Sequence, residues 1–310
     1  MGDRPIRRTP AGLIAAALAL LAAIMLLAGP LTTPLRAWGG FGHETTAQIA
    51  LANTRPETRA GIVRLLRAER LLGTPDCRVR SLAEAATWPD CIRRDGWRWG
   101  FTAAWHYRTA PVCEAYDARR NCSGGNCVTA QIARNHRLLA DESLPDNVRL
   151  EALAFLVHFI GDVHMPLHSG DLDDRGGNDR AVAYGIIPGY NLHAIWDGPL
   201  AERAITSTSP PLVRRYAVSE RADLAAGDPA EWGRESWALA RSVAYAGAYG
   251  TDPCAPGAPQ LPDQAVLEQQ AIVASLPHTE QRVRQAGLRI ARLLDEAFAP
   301  GPLPVVEAAR

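Results

Sequence analysis

The stretch His158-Phe159-Ile160-Gly161-Asp162-Val163-His164-Met165-Pro166-Leu167-His168 constrains this chain more than any other. It closes residues 146–163, which read as an amphipathic helix. Asp146 can cap that helix, Glu151 sits early, and Leu150, Leu153, Ala154, Val157 and Phe159 supply an apolar face. His158 and Asp162 are four residues apart, so they are neighbours on one helix face and close enough to share a metal ion. Pro166 cannot continue the helix and turns His168 elsewhere. His193 and Asp197 repeat the four-residue spacing, and a second cation could sit there. Imidazole with carboxylate is the donor set of catalytic zinc, distinct from the thiolates of structural zinc. One such pair is as readily an ordinary core pair. Two pairs, with other histidines nearby in sequence, point to metal.

A site of buried polar donors needs a core large enough to hold it. The chain has 310 residues, 47% hydrophobic and 21% charged, which is ample and excludes a disordered or low-complexity chain. Lys+Arg and Asp+Glu are 33 each, so no whole-molecule charge draws it to DNA or to a membrane. A local phosphate site remains open. The chain contains no Lys, so every Lys/Arg position is Arg, a bias read as coding composition. Helical composition marks residues 44–52, 57–72, 231–249 and 264–298, the last interrupted near Pro277. Residues 169–190, rich in Gly and Asp, read as a long functional loop with a short hairpin near 181–184. No repeat or Pro/Ser-rich linker divides the chain. The expectation is one all-α domain over 38–298, with 299–310 a loose tail.

The first 37 residues read as an export signal. Arg4, Arg7 and Arg8 precede an uncharged apolar run, 11–28, and Gly29, Pro30 and Pro34 break it before Ala37. An uncleaved anchor is the alternative reading, since the run sits at the short edge of a membrane span. The expected cut lies between Ala37 and Trp38, giving a secreted or periplasmic protein without a membrane segment. Six cysteines agree with an oxidising compartment: Cys77, Cys91, Cys113, Cys122, Cys127 and Cys254. They read as three disulfides, and fifteen pairings are open.

The motifs together resemble the S1/P1 nuclease family, zinc-dependent nucleases built as helical bundles around three zincs. Trp38-Gly39-Gly40-Phe41-Gly42-His43 is similar to that family's mature start. Trp88-Pro89-Asp90 and Trp105-His106-Tyr107 resemble the elements that follow it. The stretch from His158 to His168, then Gly176-Gly177-Asn178 and Asn191-Leu192-His193-Ala194-Ile195-Trp196-Asp197, complete the order. The resemblance implies one zinc on Asp90, His106, His158 and Asp162. It implies a second on the Trp38 amine and carbonyl, His43 and Asp162, with Asp162 bridging as the central catalytic carboxylate. The third would take His168, His193 and Asp197. Arg93 resembles the family's phosphate-holding arginine, although Arg94 and Arg98 lie close by. The implied disulfides are Cys113–Cys254 and Cys122–Cys127, with Cys77–Cys91 an extra bridge.

The implied activity is endonucleolytic hydrolysis of single-stranded DNA and RNA to 5′-phosphates, with 3′-nucleotidase activity as a companion. Nucleic acid or nucleotides would be the only partners, and the enzyme would be a monomer. His164 is expected to hydrogen-bond a ligating carboxylate, while His136 and His278 read as surface residues. Thr109 and Gly198 depart from the family's nucleotide pocket, which leaves base preference open. The alternative is a zinc-dependent phospholipase C, a related helical three-zinc architecture. Its longer Trp-to-His gap and glutamate as last donor fit less well than His43 and Asp197.

Overall fold

The computed structural model describes residues 38–258, 262–301 and 303. The expected signal, 1–37, and most of the expected tail, 299–310, lie outside the described residues. From Trp38 the chain forms α1 (Gly40–Asn53), α2 (Pro56–Leu66), α3 (Leu82–Ile92) and the short α4 (Gly96–Trp99). Pro56 opens α2, where its missing N–H costs nothing. The Ser81 hydroxyl caps α3 by accepting from the Glu84 N–H. A 3-10 segment, Gly100–His106, leads through β1 (Ala110–Pro111) to α5 (Val128–Ala140) and the 19-residue α6 (Asp146–His164). A 3-10 turn over Pro166–His168 follows, then β2 (Gly170–Asp171), β3 (Ala181–Tyr184) and β4 (Ile187–Asn191). The second half holds α7 (Leu192–Asp197), α8 (Pro199–Ser207), α9 (Val218–Leu224), α10 (Pro229–Leu239) and α11 (Ala246–Tyr249). Strand β5 (Gln264–Leu267) and the 29-residue α12 (Gln269–Ala297) finish the described fold.

Helix α6 is the axis. Every residue from Ala152 to His164 is buried, so the helix is enclosed all round rather than amphipathic. Helices α1, α3, α5, α10 and α12 all pack against it. On one side Trp88 meets Phe155 edge-on at 5.4 Å, and Phe155 stacks on Phe159 at 5.2 Å. Burying each such ring contributes roughly 2–3 kcal/mol. On another side α12 lies close to α1: a Cβ at Gly287 would fall 2.5 Å from the Ile49 side chain, so only glycine allows that spacing.

The fold is all-α with short strands only. β3 pairs antiparallel with β4, as the hairpin reading of 181–184 expected, and parallel with β5, which the sequence reading took as helix. Pro277 does not interrupt α12. It costs the helix the hydrogen bond to the Val273 carbonyl, but Val273 is exposed, so water can replace that partner. All six cysteines are paired, as Cys77–Cys91, Cys113–Cys254 and Cys122–Cys127. Among the described residues no helix is long and apolar enough to cross a membrane.

Candidate metal centre

The C-terminal half of α6 meets five other segments at one buried point. α1 brings His43, α3 brings Asp90, the end of the 3-10 segment Gly100–His106 brings His106, the turn Pro166–His168 brings His168, and α7 brings His193 and Asp197. Asp162 stands in the middle and is fully buried. Its Oδ2 lies 3.0 Å from His106 Nδ1 and 3.1 Å from His158 Nε2. Its Oδ1 lies 3.3 Å from His43 Nε2 and 3.5 Å from His168 Nδ1. Three sets of donors each gather within 4.8 Å: Asp90, His106 and His158; His43, His158 and Asp162; His168, His193 and Asp197.

Close approach is built into the backbone. A Cβ on Gly161 would sit 2.5 Å from His43 Nδ1. Glycine there lets α1 press the His43 ring onto α6, where it stacks on His158 at 4.0 Å.

Outer hydrogen bonds fix which nitrogen faces inward in three of the rings. His158 Nδ1 donates to the Ala86 carbonyl at 2.7 Å, and His168 Nδ1 to the His106 carbonyl at 2.8 Å. His193 Nδ1 donates to the Gly176 carbonyl at 2.8 Å. In a neutral ring the remaining Nε2 then carries a lone pair. Those lone pairs point at carboxylate oxygens: His158 Nε2 at Asp162, and His193 Nε2 at Asp197 Oδ2, 3.0 Å away. Lone pair against lone pair repels unless a proton or a cation stands between. Without a cation the proton takes that place. Burial opposes a charged ring at His168, yet Asp162 and Asp197 outweigh it and push its pKa up to about 9. His158 is likewise raised against burial by Asp162 and Asp90. Burial would raise the Asp162 carboxyl, but His158, His168 and His106 hold it well below the usual range. Burial lowers His43 and His106, and their Nε2 atoms lack hydrogen-bond partners, as do Asp162 Oδ1, His168 Nε2 and Asp197 Oδ2. Oriented rings, ionised carboxylates and unpartnered buried donors of this chemistry fit zinc.

Trp38 is buried beside this centre. Its backbone nitrogen donates to Asp197 Oδ1 at 3.0 Å. Arg93 reaches Asp90 Oδ1 at 3.3 Å while much of its side chain stays in solvent. The Asp-rich loop has a part the sequence reading missed. Asp174, buried, accepts from Gly177 N–H, Arg180 Nε and the Tyr245 hydroxyl. Asp171 accepts from the Gly176 N–H. Together they set the Gly176 carbonyl that orients His193. The Asp-Gly composition of 171–177 was the available signal.

Two histidine expectations are corrected. His164 does not touch a ligating carboxylate. It lies two residues beyond Asp162, about 200° round the helix, and faces the opposite side. There its Nε2 accepts from Arg289 at 2.8 Å and its Nδ1 donates to the Ile160 carbonyl. His136 is packed against α12, its Nε2 bonded to the Leu293 carbonyl at 2.9 Å, and is not a surface residue.

Comparison with known proteins agrees with this geometry. A family model described as S1/P1 Nuclease matches residues 38–299. Endonuclease 4 of Arabidopsis thaliana is 30% identical over 289 residues, covering 86% of this chain and 90% of its own. Nuclease S1 of Aspergillus oryzae is 33% identical over 184 residues, 58% of this chain and 60% of its own. Nuclease P1 of Penicillium citrinum is 33% identical over 175 residues, 54% of this chain and 60% of its own.

Proposed function

The chain belongs to the S1/P1 nuclease family, and we propose that it cuts single-stranded DNA and RNA with three zinc ions held at the Asp162 centre. It is a zinc-dependent nuclease, a hydrolase of phosphodiester bonds. The observation that carries the finer reading is the inward-facing set of imidazole lone pairs and carboxylates around Asp162. Asp90, His106, His158 and Asp162 would hold one ion, His43, Asp162 and the Trp38 terminus a second, and His168, His193 and Asp197 the third. Bound there, zinc would supply Lewis acidity toward a phosphoryl oxygen and would lower the pKa of water for attack near neutral pH.

The chain's own residues do the rest. The Ala86, His106 and Gly176 carbonyls hold three rings in one tautomer. Asp162 presents one oxygen to each side of the centre. Arg93 carries a fork-shaped cation from Asp90 to solvent, suited to a phosphate oxygen. Unpaired bases reach such a centre without the cost of unstacking, which favours single strands. Breaking the P–O3′ bond would leave 5′-phosphates, as the family resemblance implies. The same centre would also serve 3′-nucleotides.

The Trp38 nitrogen can ligate only as a free amine, because a peptide nitrogen has its lone pair delocalised. Signal cleavage after Ala37 would therefore complete the site and release a monomeric enzyme to the periplasm or medium. Elemental analysis of the exported protein, beside assays on single-stranded DNA, RNA, 3′-mononucleotides and phosphatidylcholine with and without EDTA, tests this. The expected result is close to three zincs, an N-terminus at Trp38, and chelator-sensitive cutting of single strands. Full activity without zinc, or hydrolysis of phosphatidylcholine with single-stranded DNA left intact, would overturn it.

A further inference from the structure

The segment joining Asp90 to His106 exposes aromatic surface that the metal centre does not use. Trp97, on α4, is 90% exposed, and Phe101, in the following 3-10 segment, is 62% exposed. Solvent-facing rings of this size in one short segment are unusual for a folded chain. The segment itself is firmly held. Trp99 is buried against Trp88 and Phe155. Phe101 stands edge-on to Trp105 at 5.2 Å, and Trp105 directly precedes His106. Trp105 is pinned by a hydrogen bond from its Nε1 to Asn126 Oδ1. The exposed rings are therefore carried on a rigid base.

The charge beside them is positive. Arg93, Arg94 and Arg98 are exposed on the same segment. Arg98 is fixed by donating to the Leu72 and Gly73 carbonyls, and its guanidinium lies 4.9 Å over the Trp99 ring. Neither contact neutralises it. Among the described residues neither Arg94 nor Arg98 has a carboxylate within ion-pairing distance, while Arg93 leans on Asp90. Rings that offer a π-face, interleaved with fixed cations, match a polymer that alternates flat bases with phosphates. A bilayer surface would instead need a longer amphipathic helix lying in the interface, and α4 has four residues.

We propose that Trp97 and Phe101, with Arg94 and Arg98, form a stacking ridge that holds the single strand beyond the nucleotides at the metal centre. The inference rests on the nuclease reading and assigns that site an extended subsite. The ridge binds bases without reading them, since every base has a π-face. Its contribution grows with the length of the strand that can reach it.

The test compares Trp97→Ala, Phe101→Ala and the double variant on oligodeoxynucleotides of increasing length. Both side chains are exposed, so the fold and zinc content are retained, and both are checked by circular dichroism and elemental analysis. The ratio of octanucleotide KM to dinucleotide KM should rise at least roughly five- to hundredfold in the double variant, the range of a single stacked base, while kcat changes little. Trp97→Phe and Phe101→Tyr, which keep the rings, should restore the wild-type ratio. An unchanged ratio overturns the ridge, and so does an equal loss on both lengths. Loss of binding to phosphatidylcholine/phosphatidylglycerol vesicles with unaltered oligonucleotide kinetics would assign the surface to lipid and overturn it too. If the wild-type protein cuts no single strand of any length, the nuclease reading fails instead, and that outcome is separate from any change in the ratio.

Discussion

Helix α6 carries two buried polar clusters on opposite faces, and they are built on opposite rules. At the front, around Asp162, ring nitrogens and carboxylate oxygens face one another with too few hydrogens to pair them all. At the rear, His164 meets Arg282 and Arg289 from α12, and both arginines reach Glu235 from α10. There nearly every donor finds an acceptor, Arg289 Nε being the exception. Arg289 bridges His164 and both oxygens of Glu235, while Arg282 reaches Gln285, Ser236, the Trp232 carbonyl and Glu235. Burial and the two guanidiniums lower His164 well below an ordinary histidine, so it stays neutral. The contrast teaches how to read buried polarity. A network whose donors reach acceptors has the chemistry of architecture, and one that leaves lone pairs converging has the chemistry a cation fits.

The largest effect should come from the front. Asp162→Asn removes the charge shared by both sides of the centre and should cost at least about a thousandfold in kcat/KM, together with zinc. His193→Ala, which serves one side, should cost less. Measured zinc stoichiometry and kcat/KM decide it, and equal mild losses would break the assignment of Asp162 as the shared donor. At the rear, Glu235→Gln leaves two buried guanidiniums without their counter-charge. It should destabilise the fold by roughly 3 kcal/mol, at the low end for a broken buried pair because Glu235 is partly exposed. Its zinc content should hold. Denaturant melts beside metal analysis check this, and loss of zinc without loss of stability would erase the distinction between the clusters.

Gly161→Ala should displace the His43 ring, lower activity about ten- to hundredfold as for a misplaced ligand support, and destabilise the fold by roughly 1–3 kcal/mol as overpacking does, read from kcat/KM and denaturant melts. The smallest effect concerns pH. Burial, with Arg292 and Arg137 nearby, lowers the pKa of His136 from 6.5 to about 4 despite its bond to the Leu293 carbonyl. The unfolded chain therefore takes up this proton first. Stability is full above 6.5, falls as the pH drops below it, and stops falling near 4. Between pH 6.5 and 5.5 the loss should be about 1 kcal/mol. His136→Gln should remove that slope in urea titrations at the two pH values, and an unchanged slope would show that His136 titrates normally.

What the sequence revealed followed from local periodicity. His158 and Asp162, or His193 and Asp197, are neighbours by helix geometry alone. Joining these pairs into one centre needed the resemblance, because His43, Asp90 and His106 arrive from separate segments. The rear cluster was illegible: 125 residues separate His164 from Arg289, and nothing local marks the pair. Helices α3 and α5 escaped notice where Trp88-Pro89 and the polar Arg134-Asn135-His136 break a simple apolar stripe. Pro277 misled in the other direction, since its cost depends on whether Val273 meets water.

The Cys113–Cys254 bridge has a consequence for proteolysis. The Asp-rich loop, the β3–β4 hairpin and every donor from His158 to Asp197 lie between those two cysteines. A single peptide-bond cut anywhere between them opens the backbone but releases no fragment, because the two pieces stay covalently joined. In a protease-rich milieu, a nicked molecule would keep all its donors on one tethered particle. Such damage would be invisible on a non-reducing gel and would appear only after the bridge is reduced.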